Sequence, residues 1–363
     1  MKEQKFLKTI DWYIIRKFIG TYVLAILLMV AISVMFDFNE KVDKFIRNEA
    51  PTHAIIFDYY LNFIPFFANL FSPLFVFIAV IFFTSRLADR SEIIAMLASG
   101  ISFDRLMRPY MISAAAIAIL TLLLSSYVIP PANITRNDFH DKYIRSIRTT
   151  YFSNIQLEVE PGIIAYFDRF DSNRSTGYRF SLEQFEDKKL KSRMTAERIV
   201  WDSAYHWSVE NYMIRNFIGM KEEVATGQQL DTILKIIPAD FMISRFDFEQ
   251  LTSPQLKTYI DRQKQRGIGN IQTFEVEYHT RFAMAFSAFI LTVIGVSVSS
   301  RKVKGGMGLN IGIGLGLSFS YILFMKISSS YAYSGLMSPF IAVWIPNIVY
   351  ALIAAYLYWK APR

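Results

Sequence analysis

Apolar residues are concentrated in six long, uncharged stretches, which are separated by short charged connections and by one long polar block. The six stretches are Phe18–Phe36, Tyr59–Ser85, Pro109–Thr135, Phe282–Ser300, Gly305–Met325 and Ile327–Trp359. A helix that crosses the hydrocarbon core of a bilayer needs about 20 mostly apolar residues. Because proline opens a helix more readily than it sits inside one, we place the sixth span at Pro339–Trp359. The pattern therefore predicts six transmembrane helices in two groups of three.

The polar block between the third and fourth spans favours β-structure. Its aromatic and β-branched stretches predict strands at Ile163–Phe170, Tyr178–Phe185, Met194–Trp201, His206–Ile214 and Thr232–Ile237. Gly162, Gly177 and Gly227 mark turns. A hydroxyl residue followed by Pro254 predicts a later helix that ends near Gln265. We expect an antiparallel sandwich or jellyroll, and divide the chain at 1–130, 131–270 and 271–363.

The charge distribution predicts the orientation of the spans. Residues 131–278 carry 20 Lys/Arg and 21 Asp/Glu, whereas the other 215 residues carry 19 and 10, so the whole net charge of +8 lies outside the block. Basic residues in short loops favour the cytoplasmic side. Those outside the block fall into four groups that six spans place on one side: Lys2, Lys5, Lys8, Arg16 and Lys17; Arg86, Arg90, Arg105 and Arg108; Arg301, Lys302 and Lys304; Lys360 and Arg363. We expect an inner-membrane protein with both termini cytoplasmic and the central block periplasmic.

Several classes of chemistry have no support in the sequence. There is no cysteine, which excludes disulfides and thiolate sites, and the four histidines lack metal-ligand spacing. No phosphate-binding loop of the Gly-x4-Gly-Lys-Ser/Thr type is present, and the glycines near Gly308 lead into Leu309 and Asn310 instead. We expect no cofactor, no metal, no nucleic-acid partner and no enzymatic activity.

The connection between spans two and three contains a short helix pattern, within about 86–100. Ser91 is a candidate N-cap before Glu92, and Gly100 a candidate stop. Such a helix presents Ile93, Met96 and Leu97 on one face. It is either a docking element for a partner or an amphipathic helix that lies on the lipid surface.

Residues 90–102 read Arg-Ser-Glu-Ile-Ile-Ala-Met-Leu-Ala-Ser-Gly-Ile-Ser. This segment resembles the coupling helix of the lipopolysaccharide export permeases, the LptF/LptG family. The order of spans, the size of the inserted domain and the start Asp11-Trp12-Tyr13-Ile14 are also similar to that family. The Asp-x-Tyr-Ile start and the Ala-Ser-Gly sequence favour LptG over LptF.

The resemblance implies one subunit of an ABC transporter. Two such permeases, either two copies or two different chains, sit on a cytoplasmic ABC ATPase dimer. They extract lipopolysaccharide and pass it through periplasmic β-jellyrolls to a jellyroll bridge protein towards the outer membrane. The fold implied is an α-helical membrane protein of six transmembrane helices (3+3) with an inserted periplasmic antiparallel β-jellyroll domain.

The resemblance also assigns roles to residues of the short helix. The carboxylate that meets the ATPase falls on Glu92, with Ile93, Met96 and Leu97 as the face buried in the ATPase groove and Arg90 beside it.

Basic residues at the outer end of the membrane helices are candidates for the lipid phosphates. Lys41, Lys44 and Arg47 follow the first span, Lys326 ends the fifth, and Arg281 lies at the outer start of the fourth. The acids interleaved with the first three also allow plain ion pairs on a helix surface, and Lys326 can extend to the interface on its own.

Glycines at every fourth position in span five favour close helix packing. Gly308, Gly312 and Gly316 form the stripe. In the resembling family, spans one and five of the two subunits form lateral gates, so the stripe lies either in that contact or within one subunit.

Three other functions remain open on the sequence. They are a permease for another lipid or for a lipoprotein, a membrane scaffold whose β-domain binds a partner, and a secondary transporter. The last is disfavoured because no Asp or Glu lies within the six apolar stretches.

Overall fold

The structure is a computed structural model that describes residues 8–144, 151–186, 189–219, 221–238, 247–265, 271–300 and 306–361. The basic connection at 301–304, the first two lysines and Arg363, on which part of the orientation rests, lie outside the described residues. The chain divides into a membrane unit (1–144, 249–254 and 272–363) and a β unit (145–248 and 255–271).

The helices of the chain follow the apolar stretches. Their bounds are α1 Thr9–Arg47, α2 Leu61–Leu70, α3 Ser72–Asp89, α4 Glu92–Ala98, α5 Phe103–Leu123, α6 Ile129–Tyr143, α7 Ser253–Gln265, α8 Gln272–Ser299, α9 Gly306–Tyr333 and α10 Pro339–Trp359. Among the described residues, six helical spans are long and apolar enough to cross a membrane, with α5 and α6 joined as one. The predicted six spans are confirmed.

Two spans contain a wider helical turn. A π-helical turn over Ile55–Tyr60 leads into α2, and a second over Leu124–Val128 joins α5 to α6. The third span therefore runs to Tyr143, well beyond its apolar stretch. Span five is also longer than predicted, because its serines continue the helix to Tyr333 and Gly335, with φ of 72°, follows.

The membrane unit has two main apolar clusters. One packs α1 against α3, α4 and α5, and includes Ile14, Phe18, Ile93 and Tyr110. The other packs α3 with α8, α9 and α10. At Gly295 the helix α8 lies so close to α3 that an added Cβ would be 2.7 Å from Cγ1 of Val80. Glycine is thus required at this crossing.

The β unit contains a six-stranded sheet. The strands are β1 Tyr151–Glu160, β2 Ile163–Asp171, β3 Thr176–Glu186, β4 Lys189–Ser203, β5 His206–Ile218 and β6 Lys221–Ile233. All neighbours are antiparallel and consecutive in the chain. The core centres on Trp207, whose indole N–H donates to the carbonyl of Ile236 at 3.0 Å. The predicted inserted antiparallel domain is confirmed.

Both edge strands differ from the prediction. β1 was not predicted, and the predicted strand at Thr232–Ile237 falls mostly after the end of β6. The causes differ. In β1, Ile155, Leu157 and Val159 alternate with polar residues and pack on the core, so the period-2 pattern of a strand was present but missed. In β6 most side chains are exposed, so that strand gives almost no hydrophobic signal.

Candidate functional site

The helix α4 lies between two left-handed turns. Ser91 has φ of 61° and Gly100 has φ of 86°. The predicted cap by Ser91 is wrong, because its side chain makes no capping hydrogen bond and its backbone N–H donates to the carbonyl of Ala88 at 3.0 Å. After α4, the N–H groups of Gly100 and Ile101 donate to Leu97 and Met96, at 3.0 and 3.2 Å. This hydrogen-bonded end is typical of a helix that stops at glycine.

The apolar face of α4 packs on the chain itself. Ile93 is fully buried in the cluster with α1 and α5, and Met96 and Leu97 are partly buried against it. The expectation that these three side chains enter a partner's groove is therefore corrected for Ile93, which is already covered by its own helices. The face left open carries the exposed Ile94, Ala95 and Ala98.

Glu92 and Arg90 are the charged groups beside that open face. Glu92 is half-buried and accepts a long hydrogen bond from the hydroxyl of Tyr13, at 3.4 Å. Arg90 is exposed. Within the described part of the chain neither side chain forms an ion pair, so both charges remain available to a partner.

A buried ion pair lies next to α4. The guanidinium of Arg105 donates to both carboxylate oxygens of Asp11, at 2.7 and 2.5 Å. Asp11 is only 2% exposed and also accepts from the backbone N–H of Lys8 at 2.7 Å. The pair joins the first turn of α1 to the first turn of α5. Sequence reasoning missed it, because 94 residues separate the partners.

The basic residues at the other end of α1 have two different environments. Lys41 interacts with the carboxylate of Asp37 and the hydroxyl of Tyr59, and Tyr60 also donates to Asp37, at 3.3 Å. The positive charge of Lys41 is thus already balanced within the chain by Asp37. Lys44 and Arg47 are exposed, and no ion pair within the described residues includes them. The structure therefore separates Lys41 from the other two candidates.

A polar cavity of about 190 Å³ lies inside the membrane unit. Lys326 lines it together with Arg281, which is 4% exposed and donates to Glu277 at 3.0 Å and to the carbonyl of Leu251 at 2.9 Å. Glu249 lines it too, and burial, with the nearby Glu277 carboxylate, raises its pKa. The side-chain amides of Asn69 and Asn133 also line the cavity. Their buried Oδ1 atoms have no hydrogen-bond partner among the described residues.

Sequence reasoning named two basic residues of this cavity, Lys326 and Arg281, but missed its carboxylates and amides. Beside the cavity, Arg136 of α6 lies 3.9 Å from Glu249 and stacks over Phe66 at 4.5 Å. The sequence signal for the amides was the position of Asn69 and Asn133 within apolar stretches. No group of three potential metal ligands occurs in the described ranges.

The glycine stripe of α9 faces away from the rest of the chain. A Cβ added at Gly308, Gly312 or Gly316 would meet nothing within 4 Å, whereas one at Gly314 would overlap Cδ1 of Ile81 on α3. Gly314 thus serves packing inside the subunit, and the stripe does not. The spans of α1 and α9 are also the least covered of the six, with 17% and 28% of their apolar windows buried.

Comparison with known protein families identifies a match over nearly the whole chain. The family model of the lipopolysaccharide export system permease LptF/LptG matches residues 12–360. The match does not separate LptF from LptG. No curated protein matches the chain.

Proposed function

Since the chain belongs to the lipopolysaccharide export system permease LptF/LptG family, we propose that it is the transmembrane subunit of an ABC transporter for lipopolysaccharide. It extracts the lipid from the inner membrane and delivers it to a periplasmic jellyroll bridge. A separate cytoplasmic ATPase dimer hydrolyses the ATP. Both termini and α4 lie in the cytoplasm, and the β unit lies in the periplasm.

The geometry of α4 is the observation that carries the proposal. A short helix is held rigidly by its buried Ile93, while Glu92, Arg90 and the exposed Ile94 remain open. A helix lying on lipid would bury its apolar face in the bilayer, but here that face is buried in protein. An open surface with a carboxylate at its head fits a groove of mixed apolar and basic character.

The uncovered sides of α1 and α9 support pairing with a second permease. Membrane helices associate through small residues that let their backbones approach closely. The stripe of Gly308, Gly312 and Gly316 offers such a surface, and none of the described helices of this chain occupies it. We propose that a second permease packs there, and that the contact opens when the lipid enters.

The lipid itself is assigned to the end of the membrane unit that carries Lys44 and Arg47. Phosphate groups of lipopolysaccharide are strong acceptors for such side chains, above all where water is partly excluded. Lys326 and Arg281 add positive charge at the nearby cavity, although Arg281 is committed to Glu277. Lys41 is the least available of the candidates.

Copurification from native membranes tests the assignment. The wild-type chain, solubilised in detergent, is expected to bring down a cytoplasmic ATPase, a second permease and a phosphorylated glycolipid. Glu92→Lys is expected to lower ATPase recovery by about tenfold or more, because truncating or reversing one charge of a buried interfacial pair costs about 2–5 kcal/mol. Asp89→Lys is the matched control, since it makes the same change of charge on the exposed end of α3.

The outcomes distinguish the alternatives. Recovery of the ATPase with a different lipid, or with a lipoprotein, would support a permease of another specificity. An intact chain that recovers no ATPase, and whose Glu92→Lys variant is unchanged, would support a membrane scaffold and refute the transport proposal.

A further inference from the structure

The helix α1 is a single uninterrupted rod. It runs for 39 residues, from Thr9 to Arg47, which corresponds to about 58 Å at 1.5 Å per residue. Only 17% of its apolar window is buried by the chain. Its buried contacts lie mainly in its first turns, from Asp11 to Tyr22, whose hydroxyl is hydrogen-bonded to that of Ser72 at 2.7 Å. The position of its start therefore depends on the groups that attach these turns to α3, α4 and α5.

At the start of α1 the buried carboxylate of Asp11 provides such an attachment. It accepts hydrogen bonds from Nη1 and Nη2 of Arg105, at 2.7 and 2.5 Å, and it caps the helix by accepting the backbone N–H of Lys8. Two parallel, charge-assisted hydrogen bonds fix orientation as well as distance. A carboxylate that is 2% exposed cannot exchange this partner for water without a large penalty.

Arg105 is itself tied to α4. The tight turn at Gly100 leads directly to Ser102, whose hydroxyl accepts the backbone N–H of Arg105 at 3.2 Å and starts α5. Ile93 of α4 and Phe103 of α5 are buried in one cluster with Ile14 of α1. The short helix, the first turn of α5 and the first turns of α1 thus form one block.

We propose that the Asp11–Arg105 ion pair is the link through which a movement of α4 is passed to α1. The inference rests on the proposed function, since it takes α4 as the part that the ATPase moves. Asp11 and Arg105 are positioning residues in this view, and neither touches nucleotide or lipid. Without the pair, α4 still binds the ATPase, but α1 no longer follows it.

The first test measures coupling in the reconstituted complex of permeases and ATPase. Asp11→Asn keeps the shape and removes the charge, and is expected to lower the lipid released per ATP hydrolysed by about fivefold or more, the lower end of typical coupling effects. ATPase recovery should be unchanged. The exchange Asp11→Arg with Arg105→Asp should restore part of the coupling. Asp104→Asn is the matched control, because Asp104 neighbours Arg105 but bonds to Tyr358.

The second test measures the distance between the start of α1 and the short helix α4. The chain has no cysteine, so spin labels can be placed at Ile10→Cys and at Ser99→Cys, the residue that follows α4. Both positions are exposed and lie outside the docking face, and the separation of the labels is measured with and without an ATP analogue. In wild type the separation is expected to stay constant between the two states. In Asp11→Asn the distribution should broaden or shift when nucleotide is bound.

The results separate this inference from the proposed function. Proportional loss of ATPase recovery, hydrolysis and release in Asp11→Asn, without rescue by the exchanged pair, would mean that the ion pair only supports folding and would overturn the inference. Unchanged coupling and an unchanged label distance would overturn it as well. A wild-type chain that binds no ATPase would instead refute the proposed function.

Discussion

Leucine substitutions at two neighbouring glycines of α9 distinguish packing inside the subunit from packing between subunits. At Gly314 even the first carbon of a side chain would overlap Cδ1 of Ile81, which is 1% exposed, so the Ile81 side chain would have to shift within the core. Overpacking of this kind costs about 1–3 kcal/mol. Leucine gains back about 0.5–1 kcal/mol of helix stability over glycine. Gly314→Leu should therefore destabilise the isolated chain by up to about 2.5 kcal/mol, the largest difference between those two ranges.

At Gly312 the same substitution meets open space within the chain. The isolated chain should lose no stability, and should gain up to about 1 kcal/mol from the better helix former. If a second permease packs on the stripe, however, the leucine separates the two helices. A loss of about 1–3 kcal/mol in the contact corresponds to pairing that is weaker by roughly 5- to 150-fold.

Two measurements on the same preparations check this reasoning. Thermal unfolding of the single chain in detergent gives the stability change, and energy transfer between labelled chains in vesicles gives the pairing equilibrium. We expect Gly314→Leu to affect the first measurement and Gly312→Leu the second. An equal loss of thermal stability in both variants, with no effect of Gly312→Leu on pairing, would refute the division of roles.

Two further predictions concern charged residues of the membrane unit, Glu249 near its cavity and Lys44 and Arg47 at the end of α1. Burial raises the pKa of Glu249, so the folded chain binds more protons than the unfolded chain, and the free energy of unfolding should fall as pH rises above the ordinary carboxyl range. Glu249→Gln should make the free energy of unfolding, measured by chemical denaturation, less dependent on pH. A pH dependence unchanged by the substitution would contradict the raised pKa of Glu249. Replacing both Lys44 and Arg47 by glutamine should weaken binding of phosphorylated glycolipid by about tenfold or more, as measured by retention on the purified chain. Lys41→Gln should have a smaller effect, because Asp37 already balances that charge, and a larger one would reverse the ranking.

The six spans were predictable because hydrophobicity alone determines them. Uncharged runs of that length have few alternatives to a membrane helix. The ends of the spans were not predictable in the same way. The serines at the end of α9 are compatible with either helix or loop, and the choice falls to hydrogen bonds such as that from Ser328 to the carbonyl of Ala342.

The short helix shows what periodicity leaves undetermined. The spacing of Ile93, Met96 and Leu97 predicted an apolar face, and that face exists. Periodicity carries no information about which surface covers the face, and here α1 and α5 cover it rather than a partner. The same limit applies to the pairs Asp11–Arg105 and Arg136–Glu249, whose members are too far apart in the chain for any local pattern to connect them.

Polar attachments near both ends of α1 add to the apolar contacts of its first turns and to the buried hydrogen bond between the hydroxyls of Tyr22 and Ser72. One end is attached by Asp11 to Arg105, and the other by Asp37, Lys41 and two tyrosines to the start of α2. Apolar contacts in a membrane give little preference for one helix neighbour over lipid. Polar attachments at the ends do give such a preference, because their groups lose hydrogen bonds when they separate. A helix attached in this way keeps a defined position at both ends while its middle remains open to a second subunit or to lipid.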